Sequence, residues 1–165
     1  PFALLYLVSS DGKQARLWGS TEAIPDDGIC PEIVDLTARN NDLWAIEQVV
    51  RRAEPQVIDN LESRFGKIPG SPWAEPPREA MVLPIVAAAQ DKVTGVLVAV
   101  ASPRRKLDDN YCDFFNQIAT QIATTITNAQ AYEAERQRAE ALAELDRAKT
   151  TFFSNVSHEF RTPLT

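Results

Sequence analysis

Histidine is almost missing from this chain of 165 residues, which carries one, His158. A zinc site built from several imidazoles, or a relay passing protons between histidines, is thereby excluded for the chain on its own. Cysteine is nearly as scarce: Cys30 and Cys112 are too few for a disulfide framework and suit a reducing compartment. Long apolar runs are absent too. The longest begins at Met81, is interrupted by Pro84 and ends in alanines 87–89, too short to cross a bilayer. Positive charge is not in excess, since 17 Lys+Arg face 23 Asp+Glu for a net charge of −6, so nucleic acid is not an expected partner. An initiator methionine and a basic-then-apolar leader are lacking as well, so the chain is read as an internal piece of a longer protein whose targeting signals are to be sought elsewhere. Its expected location is cytoplasmic, with a parent either soluble or membrane-anchored. The length suits one domain plus an appendage.

What is present divides into two regions. Up to about residue 102 the apolar pattern is short and broken by turns. Residues 2–8 form an apolar run ending at Ser9-Ser10-Asp11-Gly12, residues 14–18 alternate, and together they predict a hairpin. Asn40-Asn41-Asp42 offer helix N-caps ahead of Leu43, Ile46, Val50 and Ala53, whose spacing puts one face of a helix together before Pro55. Residues 56–59 suit a short strand. From Leu61 to Arg78 glycines and prolines are dense, which predicts a long irregular loop. Residues 80–86 and 93–101 flank a turn at Asp91-Lys92 and predict a second hairpin, with Pro84 implying an edge or a bulge.

From residue 108 to 160 neither proline nor glycine occurs. That favours one long helix or two nearly continuous ones, about 80 Å if unbroken. Ile118, Ile122, Thr125, Ala129 and Tyr132 are spaced as a coiled-coil seam, and so are Leu142, Leu145, Lys149, Phe152 and Val156. The two seams are one residue out of register, a phase break near Ala139 where a conformational signal could be passed or stopped. A plain solvated helix over 132–144 is the alternative.

Near the end stand Phe152, Val156 and Phe160 at i and i+4, which predicts a buried stripe, with His158 and Glu159 off it and facing solvent. A neighbouring carboxylate that accepts a proton from Nδ1–H leaves Nε2 as a nucleophilic lone pair. The run Ser-Asn-Val-Ser-His-Glu-Phe-Arg-Thr-Pro-Leu-Thr, residues 154–165, resembles the H-box of the dimerisation and phosphoacceptor domain of sensor histidine kinases. The resemblance implies that His158 is the phosphoacceptor, Glu159 its acid/base partner, and Thr162 the residue that positions water for dephosphorylating a partner. It also implies ATP and Mg²⁺ in a kinase domain missing from this segment, a response-regulator receiver domain as partner, the parent's own ATP-binding domain as another, and a homodimer through the C-terminal helix. The segment alone is expected to be inactive.

The earlier region resembles a GAF domain. The resemblance rests on the apolar start, a helix near Trp44, the Leu83-Pro84-Ile85 and 95–99 strands, and a closing helix led by Leu107-Asp108-Asp109. It implies an α+β fold, an antiparallel sheet with flanking helices, running into a long signalling helix. The domains are then 1–131, a GAF-like sensory domain with its first helix upstream; 132–150, a coiled-coil linker; and 151–165, the truncated start of the phosphoacceptor domain. The bilin, haem and cyclic-nucleotide signatures of the superfamily are absent, so the ligand stays unknown. Trp18, Phe65 and Trp73 are read either as a ligand-pocket wall or as ordinary core and loop anchors. No metal and no cofactor within the segment are expected. Cys112, beside Asp109 and Asp113, is expected to be inert, and Arg104-Arg105-Lys106 to be a solvated loop. The whole reads as the input and transmission segment of a histidine kinase, against the alternative of a non-catalytic binding or dimerisation module carrying a relic H-box.

Overall fold

The computed structural model describes residues 2–22, 28–38, 43–66, 68, 75–87 and 92–161. Six strands make one sheet: β1 (Ala3–Val8), β2 (Gln14–Ser20), β3 (Ile33–Asp35), β4 (Gln56–Ile58), β5 (Ala80–Val86) and β6 (Val93–Val100). They are ordered β3-β2-β1-β6-β5-β4, and every adjacent pair is antiparallel. Three helices accompany it, α1 (Ile46–Arg52), α2 (Leu61–Phe65) and α3 (Asp109–Arg161). The α+β class and the antiparallel sheet are as expected. Residues 1–125 form one compact unit and residues 126–165 a second.

The turn between β1 and β2 is set by its side chains. The Gly12 N–H donates to the Ser9 carbonyl at 2.9 Å, with Gly12 at φ 72°. One oxygen of Asp11 accepts from the Ser9 hydroxyl at 2.6 Å and from the Lys13 N–H at 3.1 Å, bonds that hold its carboxyl below the usual range. Pro84 lies in β5, which has neighbours on both sides, but β4 pairs only with residues 80–82, and the ladder to β6 is irregular between Ile85 and Val86. The proline thus sits where the missing N–H breaks little.

Three local expectations need correction. Helix α1 starts at Ile46, not after Leu43, which is exposed, and the face it buries is Ile46 and Val49. The proposed caps Asn40, Asn41 and Asp42 lie outside the described residues. The segment 61–78 is not wholly irregular, because α2 makes one turn at its start and buries Leu61 completely. Strand β3, not anticipated, pairs Ile33–Asp35 with Arg16–Gln14.

Both faces of the sheet carry buried side chains. On one, Leu4, Tyr6, Val82, Val96 and Val98 join Trp44, Ile46, Val49 and Leu61 in the main core. On the other, alternation brings Met81, Leu83, Ile85, Leu97 and Ala99 together, also buried. Within residues 109–125 the buried positions of α3 are Phe115 and Ala119, one turn apart on the helix, a stripe of the spacing that an amphipathic helix buries. The same face explains Gly95: a Cβ there would stand 2.7 Å from the Tyr6 carbonyl oxygen.

Candidate functional site

Of the three aromatic residues singled out as a possible pocket wall, the structure does not bring Trp18 and Phe65 together, and Trp73 lies outside the described residues. The register of β1 on β2 passes from Leu5–Gly19 to Tyr6–Leu17, so Trp18 has no residue opposite it and stands 73% exposed. Phe65 instead stacks on Trp44, ring centroids 4.1 Å apart, and Phe2 meets the same indole edge-on at 6.3 Å. Trp44, fully buried, is the centre of this group and was not among the candidates. Its signal in the sequence was its place just before the apolar Ile46 and Val49.

Two buried aromatic rings use their polar ends on one loop. The Trp44 Nε1–H donates to the Ile29 carbonyl at 2.6 Å, and the Tyr6 hydroxyl donates to the Pro31 carbonyl at 3.2 Å. Cys30 lies between those acceptors, and its partial burial pushes the thiol up to about 11. The Cys112 thiol is raised too, by burial first and then by Asp109, Asp113, Asp108 and Glu79. Neither thiol is poised as a nucleophile. Among the described residues no three His, Cys, Asp or Glu side chains gather as a metal site. No helix among them is long and apolar enough to cross a membrane.

Helix α3 contains His158 and Glu159, whose side-chain surroundings lie outside the described residues, as does Thr162 altogether. The helix is capped at its start, and threonine hydroxyls along it are satisfied on its own backbone. Asp108 caps it by accepting the Tyr111 N–H at 2.9 Å, and Thr120, Thr124, Thr125, Thr150 and Thr151 each donate their hydroxyl to the carbonyl four residues back. Ile118 and Ile122, the first members of the expected seam, are already half-buried within the chain itself, flanking Phe115 and Ala119. Further on, Arg136, at the position that would continue that seam, pairs with Glu140 at 3.0 Å and Glu133 at 3.8 Å in water. Beyond it Leu142, Leu145, Phe152 and Phe153 are all more than half exposed. Of the first seam, then, Ile118 and Ile122 are partly taken up by the chain's own fold, whereas Thr125, Ala129 and Tyr132 are exposed like Leu142, Leu145 and Phe152 of the second.

A single antiparallel sheet of six strands, buried on both faces, with a long helix after its last strand, defines a small α+β domain of the kind that serves as a module in larger proteins. Residues 1–127 match the GAF domain family, and the chain belongs to it. Over 142 residues it is 27% identical to the circadian input-output histidine kinase CikA of Thermosynechococcus vestitus (strain NIES-2133 / IAM M-273 / BP-1), a match that covers 72% of this chain and 19% of that protein. The chain thus spans about a fifth of the length of the curated relative it matches. Among solved structures it is similar to the second GAF domain of DevS from Mycobacterium smegmatis, with TM-score 0.57 and 22% identity, covering 80% of this chain and 83% of that one. It is also similar to the GAF domain of a two-component sensor histidine kinase from Bacillus halodurans, with TM-score 0.56 and 12% identity, covering 80% and 84%. At these identities the two structures speak to the fold.

Proposed function

We propose that this chain is the sensory and signal-transmitting segment of a two-component sensor histidine kinase working in the cytoplasm. The GAF domain would receive the stimulus, and α3 would carry it to a phosphoacceptor, His158, in the first helix of a dimerisation domain. The observation that carries this reading is the run at residues 154–165, in which a histidine followed by an acid, an arginine, a threonine and a proline is joined through an unbroken helix to a GAF domain. The curated relative's being a histidine kinase supports it.

In this reading Glu159 accepts the Nδ1 proton of His158, which leaves the Nε2 lone pair free to attack the γ-phosphorus of ATP in line. An N–P bond forms, the bond to the β-phosphate oxygen breaks, and ADP leaves with that oxygen's electrons. The ATP-binding domain, with its Mg²⁺, belongs to the rest of the parent. An aspartate of a response-regulator receiver domain then takes the phosphoryl group, and Thr162 aligns water when the regulator is dephosphorylated. The exposed apolar positions Leu142, Leu145, Phe152 and Phe153 give a second copy a surface to bury, so a homodimer through α3 completes the arrangement.

Incubating the parent with γ-labelled ATP is expected to give an acid-labile, base-stable phosphate that disappears in His158→Gln. Label retained in that variant at the level of the unaltered protein would overturn the assignment and leave the chain as a binding module.

A further inference from the structure

We propose that the cleft beside the connection from β6 to α3 is a binding site for a small oxyanion carrying at least two negative charges. The cleft measures about 240 Å³ and is lined by Arg78, Ser102, Arg104, Arg105 and Lys106, with Glu79 the one carboxylate on its wall. That is smaller than a site for a drug-sized ligand, on the order of 300–1,000 Å³, and suits a phosphate or a short polycarboxylate. Four cations around one cleft are unexpected in a chain of net charge −6.

Their arrangement is partly preset. Arg104 is held by Glu75 at 3.2 Å, and the Arg105 guanidinium lies over the Tyr111 ring at 4.8 Å. The backbone between them is tied down, since the Arg105 N–H donates to the Ser102 carbonyl at 3.1 Å and the Asp108 N–H to the Lys106 carbonyl at 2.9 Å. Among the described residues Arg78, Arg105 and Lys106 form no ion pair. The N–H groups of Tyr111 and Cys112 at the start of α3 are already taken by Asp108, so recognition falls to the side chains and not to the helix end. An oxyanion here meets Arg78, just ahead of β5, and Arg105 and Lys106, just ahead of α3. It fastens the end of the sheet to the beginning of the helix through charge-assisted hydrogen bonds. The site stands independently of the phosphorelay reading.

The test uses the purified 165-residue chain with inorganic phosphate, pyrophosphate or citrate, against sodium chloride at matched ionic strength. Thermal unfolding and amide chemical shifts are followed. A saturable rise in melting temperature is expected, with shifts centred on residues 78–79 and 101–106, and the phosphate and citrate arms tell a phosphoryl ligand from a carboxylate one. The double variant Arg78→Gln/Lys106→Gln should weaken binding about tenfold or more, whereas Arg16→Gln, a remote exposed cation, should leave it unchanged. Ser102→Asp, which sets a carboxylate into the cleft, should abolish it. A response that follows ionic strength alone, that survives both cleft variants, or that is missing for all three anions at millimolar concentration would overturn the proposal.

Discussion

The indole of Trp44 lies almost parallel to the ring of Phe65, 28° apart in plane and 4.1 Å between centroids. The stack joins a residue two positions ahead of α1 to the last residue of α2, and the indole N–H at the same time holds the Ile29 carbonyl. One side chain thus fastens three segments that have no strand pairing with one another.

Trp44→Phe keeps a ring in place but removes the donor to Ile29, leaving a buried carbonyl without that partner. The expected loss of stability is about 1–3 kcal/mol, read by chemical denaturation. Trp44→Ala also removes the stack and leaves a cavity, and should cost about 3–5 kcal/mol.

Gly95→Ala should destabilise the domain by about 1–3 kcal/mol, because the new methyl would meet the Tyr6 carbonyl of the neighbouring strand, a backbone atom that cannot swing away. The same substitution at Gly19, where nothing lies within 4 Å of the added carbon, is the control and should change little on steric grounds.

Cys30 gives a dependence on alkaline pH. Its thiol is pushed up to about 11 in the folded chain against 9.0 for the free group, so between those values the unfolded chain has released a proton that the folded chain keeps. Stability from this group is therefore complete below pH 9 and falls as pH rises through 11. Cys30→Ala should flatten the fall over that interval, and a maleimide at pH 8 should modify Cys30 more slowly than it does a free cysteine.

In the homodimer proposed above, Leu142→Lys/Leu145→Lys should leave a monomer in analytical ultracentrifugation where the unaltered chain dimerises, with the melting of residues 1–125 unchanged. Both leucines are exposed in the single chain, so their replacement removes no internal packing. A dimer that persists in this variant would place the association elsewhere.

How much of this was legible in the residues depends on the length of each element. Helix α3 announced itself because more than four dozen residues without proline or glycine favour helix throughout, although whether the helix is one or two is decided only by the structure, which has it unbroken. The two hairpins were legible from runs bounded by turn residues. Strand β3 and helix α2 were not, since three residues of strand and five residues of helix each span less than two periods, too few for a repeat to show. The surroundings of the aromatic side chains were not legible for another reason. Trp18, Phe65 and Trp44 look alike by type, and only the irregularity between Leu5 and Tyr6 and the approach of α2 decide that the first is exposed while the other two stack. The run at residues 154–165 on which the proposed phosphoacceptor rests, by contrast, is local in sequence and needs no tertiary information to be read.

The strand order has a bearing on how the domain comes to be folded. β1 and β6, the first and last strands of the chain, are the central pair, with Ala3 opposite Ala99 and Leu7 opposite Gly95. During synthesis the β1–β2 hairpin emerges early but lacks its inner neighbour until nearly the whole domain has left the ribosome. Closing so long a loop delays the sheet, and until β6 arrives an apolar strand edge stays available to other chains. Helix α3 is made directly afterwards, so the segment bearing His158 emerges only after β6 has supplied the partner of β1.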